Sequence, residues 1–220
     1  MSIPSSPERS TDALRASVRQ IRRSLDAAAL DAAATSLARQ LCHLEVLAGP
    51  GTLGTYLPTD GEIDPNLAMD ELRARGWQTA LPVIGDDRAM SYAPWSSTTT
   101  LAPNRFGIDE PAPPVTSLST DQLDVVLVPC VAVDLDGNRI GFGAGFYDRA
   151  FAPPAVTADR TAADTLSPDA PAPDATTPPR RAVLVGVVHD IQVVERVEPD
   201  PWDVPMDLIV TEARVIRPGR

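Results

Sequence analysis

At 220 residues, 43% of them apolar, the chain has enough material for a single domain with a substantial core. Its formal net charge of −11 argues against a nucleic-acid partner, which needs a basic face to neutralise phosphates. No apolar run approaches the roughly 20 residues of a membrane span, and residues 1–9 lack the apolar segment of a leader, so a cytoplasmic location without a membrane partner is expected.

Residues 10–48 read as helix with a break near Asp26. Leu14, Val18, Ile21 and Leu25 recur at helical spacing before it, and Leu30, Leu37, Leu41 and Leu44 after it. Arg15, Arg19, Arg22 and Arg23 decorate the first stretch and read mostly as a solvated basic face. Leu53–Leu57 reads as a strand, and the turn 58–61 delivers Glu62 beyond its end. Asp64-Pro65 opens a helix that runs to Arg75 and closes at Gly76, and Gln78–Val83 is the next strand. Val125–Val133 is an almost continuous apolar run, as expected of a central strand covered on both faces. Val183–Val188 and Leu208–Val210 supply two more strands.

Residues 152–180 are almost wholly Ala, Pro, Thr, Asp and Ser. Such a composition buries too little apolar surface to offset its ordering entropy, so a disordered insertion is expected there. Alternating strands and helices predict an α/β domain of stacked layers. Cys42 and Cys130 fall in a helix and a strand at neither metal-ligand nor disulfide spacing, and read as buried thiols.

The richest segment is Gly137 to Arg149, containing Gly141-Phe142-Gly143-Ala144-Gly145-Phe146-Tyr147-Asp148. Alternating glycines let the backbone approach a ligand and aim successive N–H groups at one anion. The loop lies beyond the end of a buried strand, where open α/β sheets place ligands, and Arg139 and Arg149 flank it. It therefore proposes a phosphate or nucleotide site. Asp148 reads equally as a magnesium-binding carboxylate or a helix cap, and Asp203 or Asp207 as a second carboxylate or a turn former. His43 and His189 are too few and too far apart for a metal cluster or triad. With no serine in a nucleophile elbow and no lysine in the chain, covalent catalysis is not favoured.

Several ordered segments together resemble the 5-formyltetrahydrofolate cyclo-ligases, also called methenyltetrahydrofolate synthetases. They are Leu14-Arg15, Tyr56 with Pro58 and Glu62, Leu81-Pro82, Met90-Ser91-Tyr92, Gly107-Ile108 with Glu110-Pro111, the glycine loop ending Tyr147-Asp148-Arg149, and Asp207 to Glu212. Thr11 stands where the family usually has Lys, Ala144 replaces a glycine or lysine, Cys130 follows the Val-Pro, and Trp202 replaces a histidine.

The resemblance implies a single domain over 1–220 with a three-layer αβα fold and a mainly parallel sheet, similar to NagB, RpiA and CoA transferases. Residues 1–9 would be flexible and 152–180 a disordered insertion. It also implies ATP-dependent closure of 5-formyltetrahydrofolate to 5,10-methenyltetrahydrofolate with release of ADP and phosphate. ATP phosphorylates the formamide oxygen, the neighbouring nitrogen attacks the activated carbon, and phosphate leaves. That asks the protein for positioning and charge stabilisation.

By position, Thr11, Arg15, Arg139, Gly141, Gly143, Ala144, Gly145, Phe146 and Tyr147 match ATP-binding segments. Leu57, Glu62, Met90, Trp95, Phe142 and Phe146 match or suit substrate contacts, and Asp148 and Asp203 match magnesium positions. ATP and magnesium are the implied cofactors. The folate, with or without a polyglutamate tail, is the implied partner, and the chain is expected to act as a monomer. The alternative is a non-catalytic folate or nucleotide binder that kept the pocket and lost turnover.

Overall fold

The computed structural model describes residues 11–85, 88–152 and 181–219. Residues 1–9, and 153–180 of the expected insertion, lie outside the described residues. The insertion's first residue, Ala152, is described.

The helical start divides as its sequence suggests. Helix α1 spans Thr11–Arg23 and α2 spans Ala27–Cys42, with Asp26 between them accepting a hydrogen bond from the Ala29 backbone N–H at 2.8 Å. That capping bond satisfies a donor the new helix would otherwise leave open. Strand β1 is Thr52–Gly54, shorter than expected because the chain turns soon after Thr55. Helix α3 covers Asn66–Ala74 and ends at Gly76, whose φ of +95° lies in the left-handed region.

Strand β2 is Gln78–Ile84, and β3, Met90–Pro94, returns antiparallel along it with Ile84 opposite Met90 and Ala80 opposite Pro94. A hairpin of β4, Leu101–Pro103, and β5, Asp109–Pro111, stands apart. Strand β6 is Val125–Pro129. The apolar run does not continue as one strand to Val133. After Pro129 the carbonyls of Cys130 and Val131 accept from the buried Gln192 side chain at 2.9 and 2.8 Å. The chain then pairs β7, Ala132–Val133, with β8, Arg139–Ile140, in a separate hairpin.

Helix α4, Phe146–Phe151, follows the glycine loop, and Ala152 closes it. Strands β9, Val183–Val187, β10, Leu208–Val210, and β11, Val215–Ile216, complete a seven-stranded sheet. Its order is β11-β10-β9-β6-β1-β2-β3, and every pairing between the two edges is parallel.

Successive residues of β6 serve opposite faces, as strand geometry requires. Val125 and Leu127 pack with α2 and α3 residues such as Leu37, Leu41 and Leu72. Val126 and Val128 pack with Phe151 of α4, Val204 and Met206. One face is thus covered by helices of 16 and nine residues and the other by a six-residue helix and irregular chain. Helix α1 contributes Val18 to a third cluster with Val131, Ala132 and Ile140.

Candidate active site

The parallel strands deliver their C-terminal ends to one edge of the sheet, and the glycine loop emerges there after β6 and the β7–β8 hairpin. Beside it lies a cavity of about 470 Å³. Its lining brings together Thr11 and Arg15 of α1, Arg139 of β8, Gly141, Gly143, Ala144 and Gly145 of the loop, Asp148 of α4, and Asp203. Of the residues matched to ATP and magnesium segments, Phe146 and Tyr147 lie outside this lining. Phe146 packs edge-on against the exposed Phe106, and Tyr147 stacks on the buried Phe151.

The loop's conformation explains its residue choices. Gly143 and Gly145 have φ of +95° and +64°, whereas Ala144 is not among the positive-φ residues, so its methyl group stands at a position that tolerates a side chain. A Cβ on Gly141 or Gly143 would meet nothing within 4 Å, which leaves the backbone open toward the cavity. Arg15 Nε donates to Gly141 O at 2.8 Å and Arg149 Nη2 to Ala144 O at 2.8 Å, so both ends of the loop are held by guanidinium groups.

Asp148 does not cap α4; Gly145 occupies the N-cap position. Arg139 donates through Nη1 and Nη2 to Asp148 Oδ1 at 2.9 and 2.8 Å, and the Val204 N–H reaches the same oxygen at 3.1 Å. Arg139 Nη1 also donates to Val204 O at 3.3 Å. One knot therefore joins the hairpin, α4 and the segment that carries Asp203. Asp203 Oδ2 accepts from the Asp200 N–H at 2.9 Å within its own turn. Asp148 and Asp203 share this cavity with Glu198 and Asp200, and one or two such carboxylates suit a magnesium ion completed by phosphate oxygens and water, although no cluster of three or more acidic, His or Cys ligands occurs among the described residues. Asp207 is elsewhere: it pairs with Arg181 and accepts from the Leu184 N–H at 2.9 Å.

The residues matched to the substrate differ in their surroundings. Glu62 is buried, its Oε2 accepting from the Thr59 N–H at 2.9 Å. Burial pushes its carboxyl above the usual range, against the Thr59 N–H and the Arg22 charge. Tyr56 donates to Ile63 O at 2.7 Å, and Leu57 is half-buried between Tyr56 and the turn. Met90, opposite Ile84 at the C-terminal end of β2, packs against the buried cluster that contains Tyr92, as does Tyr147. Burial raises the Tyr147 hydroxyl and pushes the Cys130 thiol up to about 12, so neither is a thiolate or phenolate nucleophile near neutrality. Phe142 is 47% exposed and lies under Arg19 and Arg22, 5.6 and 5.7 Å from its ring centre.

Trp95 is a correction. It follows β3 beside the N-terminal end of β2, where its N–H donates to Thr79 O at 2.7 Å and Arg73 lies 4.6 Å over its ring. That is the end of the sheet away from the glycine loop, so Trp95 lines no wall shared with Met90.

Sequence reasoning also missed residues. Arg22, read with the solvated arginines of α1, is 1% exposed. His189 is buried, with Nε2 3.1 Å from Gly61 O, and burial lowers its affinity for a proton. Trp202, noted as a substitution, lines the cavity while 66% exposed. No local signal marks the first two, because their partners lie far away in the chain.

Comparison with known proteins identifies the family. A curated 5-formyltetrahydrofolate cyclo-ligase of Mycolicibacterium smegmatis is 32% identical over 213 residues, 94% of this chain and 96% of its own length. One of Escherichia coli is 32% identical over 170 residues, 74% and 79% of the two chains. The solved 5,10-methenyltetrahydrofolate synthetase of Aquifex aeolicus superposes with a TM-score of 0.73 at 28% identity, covering 96% of this chain and 94% of that one. The model of the 5-formyltetrahydrofolate cyclo-ligase family matches residues 7–167, and the chain belongs to that family.

Proposed function

We propose that this protein closes 5-formyltetrahydrofolate to 5,10-methenyltetrahydrofolate at the expense of ATP, releasing ADP and phosphate. The observation that carries this reading is the gathering of Thr11, Arg15, Arg139, the glycine loop, Asp148 and Asp203 around one cavity, with the buried carboxylate of Glu62 outside that lining. The loop's open backbone suits a phosphate chain, and Arg15 and Arg139 supply the positive charge that lysine supplies elsewhere. Asp148 and Asp203 would hold magnesium, which offsets phosphate charge when bound.

Glu62 accepts hydrogen bonds from the amino-pyrimidine part of the folate, with Leu57, Met90, Phe142 and Phe146 as its apolar surroundings. The chain's own contribution is to hold the formyl group and the phosphate donor in reach of one another and to exclude water, with no protein nucleophile. The enzyme works as a monomer in the cytoplasm, on folates with or without a polyglutamate tail. Among the described residues no helix is long and apolar enough to cross a membrane.

The test follows methenyltetrahydrofolate absorbance in purified protein given 5-formyltetrahydrofolate. A rise that requires both ATP and magnesium is expected. A flat trace from folded protein would refute turnover and leave a binding protein.

A further inference from the structure

We infer that Arg22 is the positioning residue of the Glu62 carboxylate, gripping the turn that carries it and facing its free oxygen with a buried positive charge. The inference rests on the reading of Glu62 as the folate contact.

Arg22 belongs to a helix whose other arginines reach solvent, yet its side chain is fully buried. Nε donates to Asp60 O at 2.8 Å and Nη2 to Asp60 Oδ2 at 2.9 Å. Nη1 is buried and has no hydrogen-bond partner among the described residues. It stands 3.9 Å from Glu62 Oε1, beyond hydrogen-bond length but close enough for strong charge attraction where water is excluded. A guanidinium that only pinned α1 to the turn would have no reason to leave this donor beside a buried carboxylate.

The turn is held against its own preference. Asp60 has φ of +53°, uncommon for a residue with a Cβ, and its carboxylate also takes Arg19 and Arg23. His189 Nε2 also meets Gly61 O at 3.1 Å.

The groups facing Glu62 come from several elements. Asp60 shares its turn, Tyr56 follows β1, Cys130 follows β6 and Tyr147 is on α4. Asp60 is an anion and the phenols and thiol are neutral, so Arg22 supplies the positive charge acting on this carboxylate.

The experiment measures 5-formyltetrahydrofolate binding by calorimetry without ATP, folate and ATP KM values, and the Glu62 side-chain carboxyl titration by carbon NMR, in Arg22→Met, Arg22→Lys and Glu62→Gln. In Arg22→Met the carboxyl titration moves up by about one pH unit or more. Its folate Kd and KM rise about tenfold at neutral pH, while the ATP KM holds within about twofold. Arg22→Lys restores most of the titration but not the affinity, because an ammonium lacks the fork that grips Asp60.

A titration unmoved in a folded Arg22→Met overturns the inference. If that variant does not fold, Arg22→Lys with wild-type folate affinity overturns it instead. Should Glu62→Gln leave folate binding unchanged, the substrate reading itself fails. If Glu62→Gln weakens binding and the Arg22 variants do not, only the role of Arg22 is lost.

Discussion

The two halves of the site are built in opposite ways. The glycine-loop side is an open cavity of about 470 Å³ whose walls are backbone, arginines, Trp202 and four carboxylates, those of Asp148, Glu198, Asp200 and Asp203. The Glu62 side is closed, with a carboxylate 9% exposed on a turn fixed by Arg22 and His189. The difference follows from what each half is proposed to recognise. A triphosphate brings its own charge, and loosely placed donors can close on it. A flat heterocycle offers a few neutral N–H groups, which repay only an acceptor already stripped of water and aimed.

The largest test of this contrast is Asp148→Asn. The amide keeps the shape of the Arg139 knot but not its charge, so magnesium-dependent kcat/KM is expected to fall by about 100-fold or more. Turnover at the wild-type rate would remove Asp148 from the phosphate side.

Next is Glu62→Gln, which removes a charged acceptor contributing about 1.5–3 kcal/mol and should raise the folate KM about 10- to 100-fold with little change for ATP. Burial sets the carboxyl of Glu62 above its ordinary value of 4.5, so the wild-type folate KM should climb as pH falls through that raised value. The Gln variant should show no such limb. For stability the sign is reversed: the contribution of Glu62 is fully present below the ordinary carboxylate range and is lost as pH rises through the raised value.

Smaller effects are expected within the loop. Gly143→Ala places a Cβ at φ of +95° and should cost about 1–2 kcal/mol in chemical denaturation, whereas Ala144→Gly should change stability by less than about 1 kcal/mol. Equal losses would mean that the two positions share one conformation. Smallest of all is Trp95→Phe. Packed under Arg73 at the far end of β2, it should leave the folate KM within about twofold, since substitutions away from a site rarely exceed about 0.5 kcal/mol.

The open half was the more legible in sequence. Asp26 announced the break between α1 and α2, and the glycines, Arg139 and Asp148 lie within one short segment, so local pattern located them. The central strand was legible too, but not its end at Pro129, because the Gln192 side chain that takes the next two carbonyls lies 61 and 62 positions downstream. The closed half was harder. Glu62 was reached through resemblance, and Arg22 looked like its solvated neighbours, since helical spacing cannot show that Asp60, 38 positions on, folds over it. Trp95 was misplaced because an antiparallel edge strand reverses which end of the sheet its last residue meets.

The clamp on the Glu62 turn also has a bearing on how the protein is made. His189 meets Gly61 across 128 positions and Arg15 meets Gly141 across 126. Contacts of such separation are the slowest to close, whereas α2 and α3 pack as near neighbours in the chain. A nascent chain that has emerged only to Phe151 has both helices and the glycine loop but still lacks the histidine that completes the turn. The turn that carries Glu62 is therefore completed only after residue 189 has been made, later than the strands β1, β2, β3 and β6.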